Sequence, residues 1–380
     1  MSTPSILTTL NKGEAYKKAM AIGPEAVIKE LQASELRGRG GAGFPTGMKW
    51  QFTRGAAGDK KYVVCNADEG ELGTFKDRKL LLEHAHKMFE GMAIAAYVLG
   101  AKDAYLYLRW EYHFMKADIE KAMAEMHALC PEVDFHLNFG GGAYVCGEES
   151  ALIESIEGKR GEPRNKPPYP VTSGLFEAPT IINNVETFCC VPHILIEGAA
   201  AFASVGTPKS KGPKLFSISG DVKKPGVYEF PMGTSLRRLL AAAEAEEPQF
   251  VLVGGSGGRI ACAEKCLERN LSFEDLPPGG SIIVLGKQRN LVSALRSVMD
   301  FFVEESCGQC VPCREGCYRL LHFVEKMEKG EKVTRKELNR YLELGTTMQT
   351  SSKCGLGQSA SNVFVSMLDY FEEKMVKIQN

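Results

Sequence analysis

Gly38-Arg39-Gly40-Gly41-Ala42-Gly43-Phe44-Pro45-Thr46-Gly47-Met48-Lys49-Trp50-Gln51-Phe52 is the stretch on which the fold turns. Its first six residues satisfy G-x-G-x-x-G, but a dinucleotide fingerprint of that form has to follow a strand and open a helix. The segment before it, Pro24 to Ser34, sets Val27, Ile28 and Leu31 at helical spacing instead. The Rossmann reading fails there. A plain surface turn is no better, because two phenylalanines, a tryptophan and a lysine follow directly on what reads as one loop. Glycines let backbone approach a planar or phosphorylated ligand, Lys49 supplies charge, and Phe44 and Phe52 supply stacking faces. The stretch predicts a nucleotide-type site on a different α/β fold.

Upstream, Lys12 to Ala21 is also helical. Downstream, Lys61 to Cys65 reads as a strand that runs into the polar loop Asn66 to Gly73. Asp77 to Leu99 and Tyr112 to His127 have helical periodicity, and Ala104 to Arg109 and Val133 to Phe139 read as strands. This alternation predicts an α/β domain over residues 1–208. A Lys/Gly/Pro linker at Lys209 to Lys214 opens a second unit, 209–289. Its strands at 215–219, 227–230, 250–253 and 281–285 and its helix at 235–243 suggest a β-grasp-like fold of the SLBB type. From 290 to 380 four helical segments, 290–305, 311–328, 334–348 and 358–377, predict a bundle.

Composition narrows the function. The 380 residues carry a formal net charge of -1 with 24% charged residues, which gives no electrostatic reason to bind nucleic acid. The longest uncharged apolar run, Gly91 to Ala101, is far below the roughly 20 residues of a membrane span. Met1 to Lys12 does not have the form of an export signal, so twelve cysteines point to a reducing, cytoplasmic compartment.

Four of those cysteines do not read as core residues. Cys307, Cys310 and Cys313 form a C-x2-C-x2-C run, whose spacing lets one tight turn reach three corners of a 4Fe–4S cluster. Zinc sites usually pair two distant hooks, and no second hook lies nearby. Cys317 would complete a ferredoxin-like C-x3-C, but Tyr318 follows where proline is usual and no second run exists. Cys354 lies in a polar turn between the third and fourth helices, at the bundle end that the run can face, and is the expected fourth ligand. Cys189-Cys190 and Cys262-x3-Cys266 read as buried thiols without a partner pair.

Six motifs in order carry a family resemblance: Arg37 to Lys49, Cys65 to Glu71, Gly142 to Glu149, Lys166 to Tyr169, Asn183 to Thr187, and the cysteine run with Cys354. Together they resemble the NADH-binding flavoprotein subunit of respiratory complex I and its relatives in NAD-linked hydrogenases and formate dehydrogenases. The resemblance implies an FMN site built from Gly38, Arg39, Gly40, Lys49, Asn66, Asp68, Tyr144, Gly147, Glu148, Asn183, Asn184 and Thr187. It implies NAD(H) over the flavin, met by Gly41, Phe44, Phe52, Glu71, Glu149, Lys166 and Tyr169. Three departures stand out: Tyr169 replaces a common phenylalanine, Cys317 a usual threonine, and the thioredoxin-like and ferredoxin-type domains of longer relatives are absent.

The expected activity is hydride transfer between NAD(H) and FMN, then single-electron transfer to the cluster and on to partner subunits. No residue is needed as acid or base; Glu149 is placed near the reacting rings. The expected partners are a small thioredoxin-like 2Fe–2S subunit and a larger catalytic subunit of hydrogenase, formate dehydrogenase or respiratory type. Through them the chain could attach to the inner face of a membrane that it does not itself span. The alternatives are a ferredoxin:NAD oxidoreductase subunit of the Rnf type, an electron-bifurcating version of the same module, or a scaffold with a structural cluster.

Overall fold

The computed structural model describes residues 5–375. Two helices, α1 (Glu14–Ile22) and α2 (Pro24–Ala33), precede the glycine-rich loop, and α3 (Thr46–Gly55) follows it. The loop is pinched at its base by a bridge between Arg37 and Pro45. The residues expected on one loop, Phe44 to Phe52, are therefore mostly helix. Only Phe44 and Pro45 precede α3, and Trp50 is fully buried within it.

Next come β1 (Tyr62–Ala67), α4 (Lys76–Leu99), β2 (Asp103–Leu108), α5 (Lys116–Leu129), β3 (Asp134–Phe139), α6 (Glu149–Ile156), β4 (Thr180–Asn184), α7 (Val185–Glu197) and α8 (Ala199–Ala203). The strands form one parallel sheet in the order β3-β2-β1-β4. Tyr112 to Met115, expected in a helix, belongs to a 3-10 turn, and α5 begins only at Lys116. Alternation along β1 assigns its faces. Val63, Cys65 and Ala67 pack with α1, α2, α4 and α7, whereas Tyr62 and Val64 enter the core shared with the C-terminal helices. Helix α4 lies so close to α7 that a Cβ on Gly91 would sit 2.2 Å from the Phe188 carbonyl oxygen.

The second sheet combines β5 (Pro213–Gly220), β6 (Gly226–Pro231), β7 (Pro248–Val253), β8 (Arg259–Cys262) and β9 (Ser281–Gly286). Its order is β6-β5-β9-β7-β8, with β5 and β9 parallel and the other pairs antiparallel. Helix α9 (Leu236–Ala242) packs on it and α10 (Ala263–Cys266) follows β8. Neither β4 nor β8 was expected from the sequence. Both are short, and β4 runs straight into α7 without a glycine or proline to mark it.

The C-terminal helical region holds α11 (Leu291–Glu305), α12 (Val311–Glu328), α13 (Arg335–Ser351), α14 (Gly355–Ser359) and α15 (Asn362–Met375). Asn290 caps α11 through Val292 and Ser293 N–H, and Thr334 caps α13 through Glu337 N–H. The single helix expected over 358–377 is two pieces, broken at Ala360 and Ser361; residues 376 and 377 lie outside the described residues. Phe302, Leu320, Phe323 and Phe364 share one core with Tyr62, Val64, Leu152 and Ile182. The helical region is thus built onto the far face of the parallel sheet.

Candidate functional site

Parallel sheets bind ligands beyond the carboxyl ends of their strands. Here β1 and β4 run in register, with Asn66 opposite Asn184, so both strands deliver amides to the same edge. Asn66 Nδ2 donates to the Gly147 carbonyl at 2.8 Å, and its Oδ1 accepts from Asp68 N–H at 3.0 Å. These bonds fix the Tyr144–Gly147 turn against the β1 loop. Glu148 ends that turn as the N-cap of α6, accepting from Ser150 and Ala151 N–H at 2.9 Å.

A cavity of 470 Å³ opens at this edge, within the usual range for a cofactor-sized ligand. From the expected FMN set its wall includes Arg39, Gly40, Asn66, Asp68, Tyr144, Gly147, Glu148 and Asn184, and from the expected NAD set Gly41 and Glu71. The wall is cut for backbone approach: a Cβ on Gly40 would come within 3.0 Å of Asn184 Cβ, and Gly41 sits at φ 138° facing open space. Asp68 Oδ2 and Thr74 Oγ1 are buried in this wall without partners. Burial pushes the Asp68 carboxyl up to about 7. Unpartnered polar atoms and a glycine cradle suit a ligand with its own donors and acceptors, as a flavin mononucleotide has.

Four expected FMN residues stand behind the wall and hold it. Thr187 Oγ1 accepts from Arg39 N–H at 2.8 Å, and Gly38 N–H donates to the Phe44 carbonyl at 2.9 Å. Asn183 Oδ1 accepts from the buried Trp50 indole N–H at 2.9 Å. Lys49 does not reach the cavity; its ammonium donates to the Ile182 carbonyl at 2.7 Å and pairs with Glu149 at 3.1 Å. Lys166 joins Glu149 at 3.0 Å to Glu148 at 2.6 Å. Burial would raise the Glu149 carboxyl, but Lys49 and Lys166 together hold it below the usual range. Phe44, Phe52 and Tyr169 lie outside the cavity wall, about half exposed.

The sequence reading missed three parts of this wall, one of them Gly355, Leu356 and Ser359 of α14. Beside β1, the start of α4 contributes Lys76 and Asp77. Lys76 Nζ meets the nearly buried Asp77 at 2.7 Å and Glu186 at 2.9 Å, and the side-chain oxygen of the partly buried Asn184 at 3.1 Å. Across the cavity, the loops after β7 and before β9 contribute Gly254, Gly257, Gly258, Gly279 and Gly280. Glu71 ties that side shut: it accepts from Ser256 N–H at 2.6 Å, Ser256 Oγ at 2.5 Å and Tyr144 Oη at 2.7 Å. The Gly254-Gly255-Ser256-Gly257-Gly258 run was the available signal.

The cysteine run unfolds from the end of α11. Gly308 takes φ 76°, Cys310 precedes α12, and Pro312 occupies its first turn, leaving Cys313 buried at the helix start. Cys354 precedes α14, and Lys353 Nζ reaches Gln309 Oε1 at 2.8 Å, joining the two turns. A Cβ on Gly357 would sit 2.8 Å from Cys313 Cβ, so the Cys354 turn packs directly on the run. Cys307, Cys310, Cys313 and Cys354 line one small cavity, with Cys317 outside it. Thiols standing round a void suit a cluster with several iron corners. Val145 and Leu356 line both this cavity and the larger one.

A glycine-cradled cofactor cavity sharing a wall with a four-thiol site defines a redox protein that pairs an organic cofactor with a metal cluster. The comparisons with known proteins specify which. Residues 31–193 match the Nuo51 FMN-binding domain, 293–377 the NADH-ubiquinone oxidoreductase-F iron-sulfur binding region, and 215–243 the SLBB domain. The chain is 41% identical to an F-type subunit of NADH-quinone oxidoreductase from Rhizobium meliloti, over 98% of this chain and 94% of that one. It is 44% identical to the NAD-reducing hydrogenase HoxS subunit alpha of Cupriavidus necator, over 94% of this chain but only 61% of that protein's length. A crystal structure of NAD+-reducing [NiFe]-hydrogenase in the H2-reduced state superposes with a TM-score of 0.93 at 43% identity, over 97% of this chain and 65% of that one. The chain belongs to the family of the F-type subunits of NADH-quinone oxidoreductase and the flavoprotein subunits of NAD-reducing hydrogenases, with FMN- and 4Fe–4S-binding regions. The family resemblance of the six motifs is borne out, and the Rnf-type alternative finds no support in these matches.

Proposed function

We propose that this chain is the NAD(H)-dependent flavoprotein subunit of a multisubunit complex, acting as its NADH dehydrogenase module. The observation that carries the reading is the common wall of Val145 and Leu356, which puts a cofactor cavity one side chain from the four-thiol site. A bound flavin supplies two-electron exchange with nicotinamide and one-electron exchange with a cluster. The chain's own residues orient and insulate. Gly40, Gly41 and Asn184 cradle the flavin; Asn66, Asp68, Tyr144, Gly147 and Glu148 bound it; Gly38, Asn183, Thr187 and Lys49 hold those residues in position. Exposed faces of Phe44, Phe52 and Tyr169, with Glu71 and the Lys166–Glu149 pair, suit a dinucleotide laid across the mouth. Cys307, Cys310, Cys313 and Cys354 hold the cluster.

The finer architecture follows the same reading: residues 209–289 as a β-grasp-like unit and 290–380 as a cluster-bearing bundle. The names of the two relatives, each a subunit of a hydrogenase or quinone oxidoreductase, support partners for this chain. We assign these to a small thioredoxin-like 2Fe–2S subunit and a larger catalytic subunit. Twelve cysteines without a disulfide among the described residues suit a reducing, cytoplasmic location. No described helix is long and apolar enough to cross a membrane. In the test, the purified chain binds FMN and four irons, its flavin absorbance bleaches with NADH, and it reduces artificial dyes. It turns over no hydrogen, formate or quinone. An FMN-loaded chain that NADH does not bleach overturns the reading, as does turnover of any of those three substrates.

A further inference from the structure

The four thiols are not equivalent in their surroundings. Ser306 Oγ lies 3.2 Å from Cys313 Sγ, and Cys317 Sγ lies 4.0 Å from the same atom. Among the described residues, these are the side-chain hydroxyl and non-ligand thiol found against a cysteine of the site. Cys317 is almost fully buried, one turn further along α12, and Ser306 forms part of the cavity wall. Gly308 N–H donates to Ser306 Oγ at 3.3 Å, which leaves the Ser306 hydroxyl hydrogen free to donate. A cluster ligand is a thiolate without a proton. Both contacts can then run in only one direction, from Ser306 O–H and Cys317 S–H to Cys313.

We infer that Ser306 and Cys317 are positioning residues that donate to the Cys313 thiolate and raise the reduction potential of the cluster. The inference rests on the four-cysteine assignment above. Hydrogen bonds to cluster sulfurs draw off negative charge, and the reduced cluster carries one electron more, so each bond favours the reduced state. Ser306, at the shorter distance, contributes the larger share. Cys317, at the limit of a sulfur contact, contributes the smaller.

The test is a redox titration of the FMN- and cluster-loaded chain, followed by the electron paramagnetic resonance of the reduced cluster, with iron counted in parallel. Ser306→Ala should lower the potential enough to change the electron partition between flavin and cluster up to about tenfold, ~59 mV for a one-electron couple. Ser306→Thr should restore it. Cys317→Ala should lower the potential less, whereas Cys317→Ser, a stronger donor, should hold or raise it. A purely structural role would not lower the potential with alanine and spare it with serine at one position. Four irons retained with an unmoved potential in Ser306→Ala and both Cys317 variants overturns the inference. Loss of iron from both Cys317 variants, with iron retained in Cys354→Ser, overturns the ligand assignment instead.

Discussion

Replacing Glu186 by glutamine should cost about 3 kcal/mol of folding stability near neutral pH. The carboxylate is fully buried, yet Lys214 and Lys76 overcome the cost of its burial and hold it at about 2. It meets Lys76 Nζ at 2.9 Å, Lys214 Nζ at 3.3 Å and Leu215 N–H at 2.9 Å. Relative to an ordinary carboxyl at 4.5, that depression is worth roughly 3 kcal/mol at about 1.4 per unit, in line with the ~3–5 kcal/mol of a broken buried pair. Glutamine keeps the shape but leaves Lys214 without a carboxylate partner. The sign with pH follows from linkage. A depressed carboxyl stabilises above about 4.5 and loses that contribution as pH falls through about 2. Burial holds Lys214 down at about 8, so above that pH it sheds its charge and its attraction to Glu186 fades. The difference between parent and Glu186→Gln should therefore be greatest between about pH 4.5 and 8 and shrink on either side. Urea unfolding followed by tryptophan fluorescence at a series of pH values measures it. A cost below ~1 kcal/mol, or one constant across pH, would refute the account of this network as a desolvated charge cluster.

Two further outcomes are expected. Cys354→Ser should lose the cluster while Cys317→Ser keeps four irons, read by iron analysis and absorbance; the opposite pattern would show that the run closes on Cys317. Glu71→Ala should raise the KM for NADH by about tenfold or more, as loss of a charge-assisted bond implies, and leave FMN bound. Flavin loss at unchanged KM would place Glu71 on the flavin side of the cavity.

The sequence by itself determined most of the order of elements, the family and the cysteine run. Those are local signals: periodicity in Pro24 to Ser34, spacing in Cys307 to Cys313, and composition in Asn66 to Glu71 are each written within a few turns of chain. It misjudged Phe44 to Phe52, because aromatic residues near glycines look like a ligand loop whether or not Trp50 is buried in a helix. Only the tertiary structure decided which residues touch the cavity and which stand behind it. Lys49 turns to Ile182 and Glu149 rather than inward, and Thr187 acts through the Arg39 backbone. Five glycines from loops of the second sheet join the wall from far along the chain. Such placements depend on where packed layers meet. In this protein one face of β1 shares its core with the C-terminal helices, which brings Leu356 beside Val145 and the thiols beside the cofactor cavity. Sequence spacing carries no record of that meeting, because contact between distant segments is fixed by burial of their shared core, not by any local pattern.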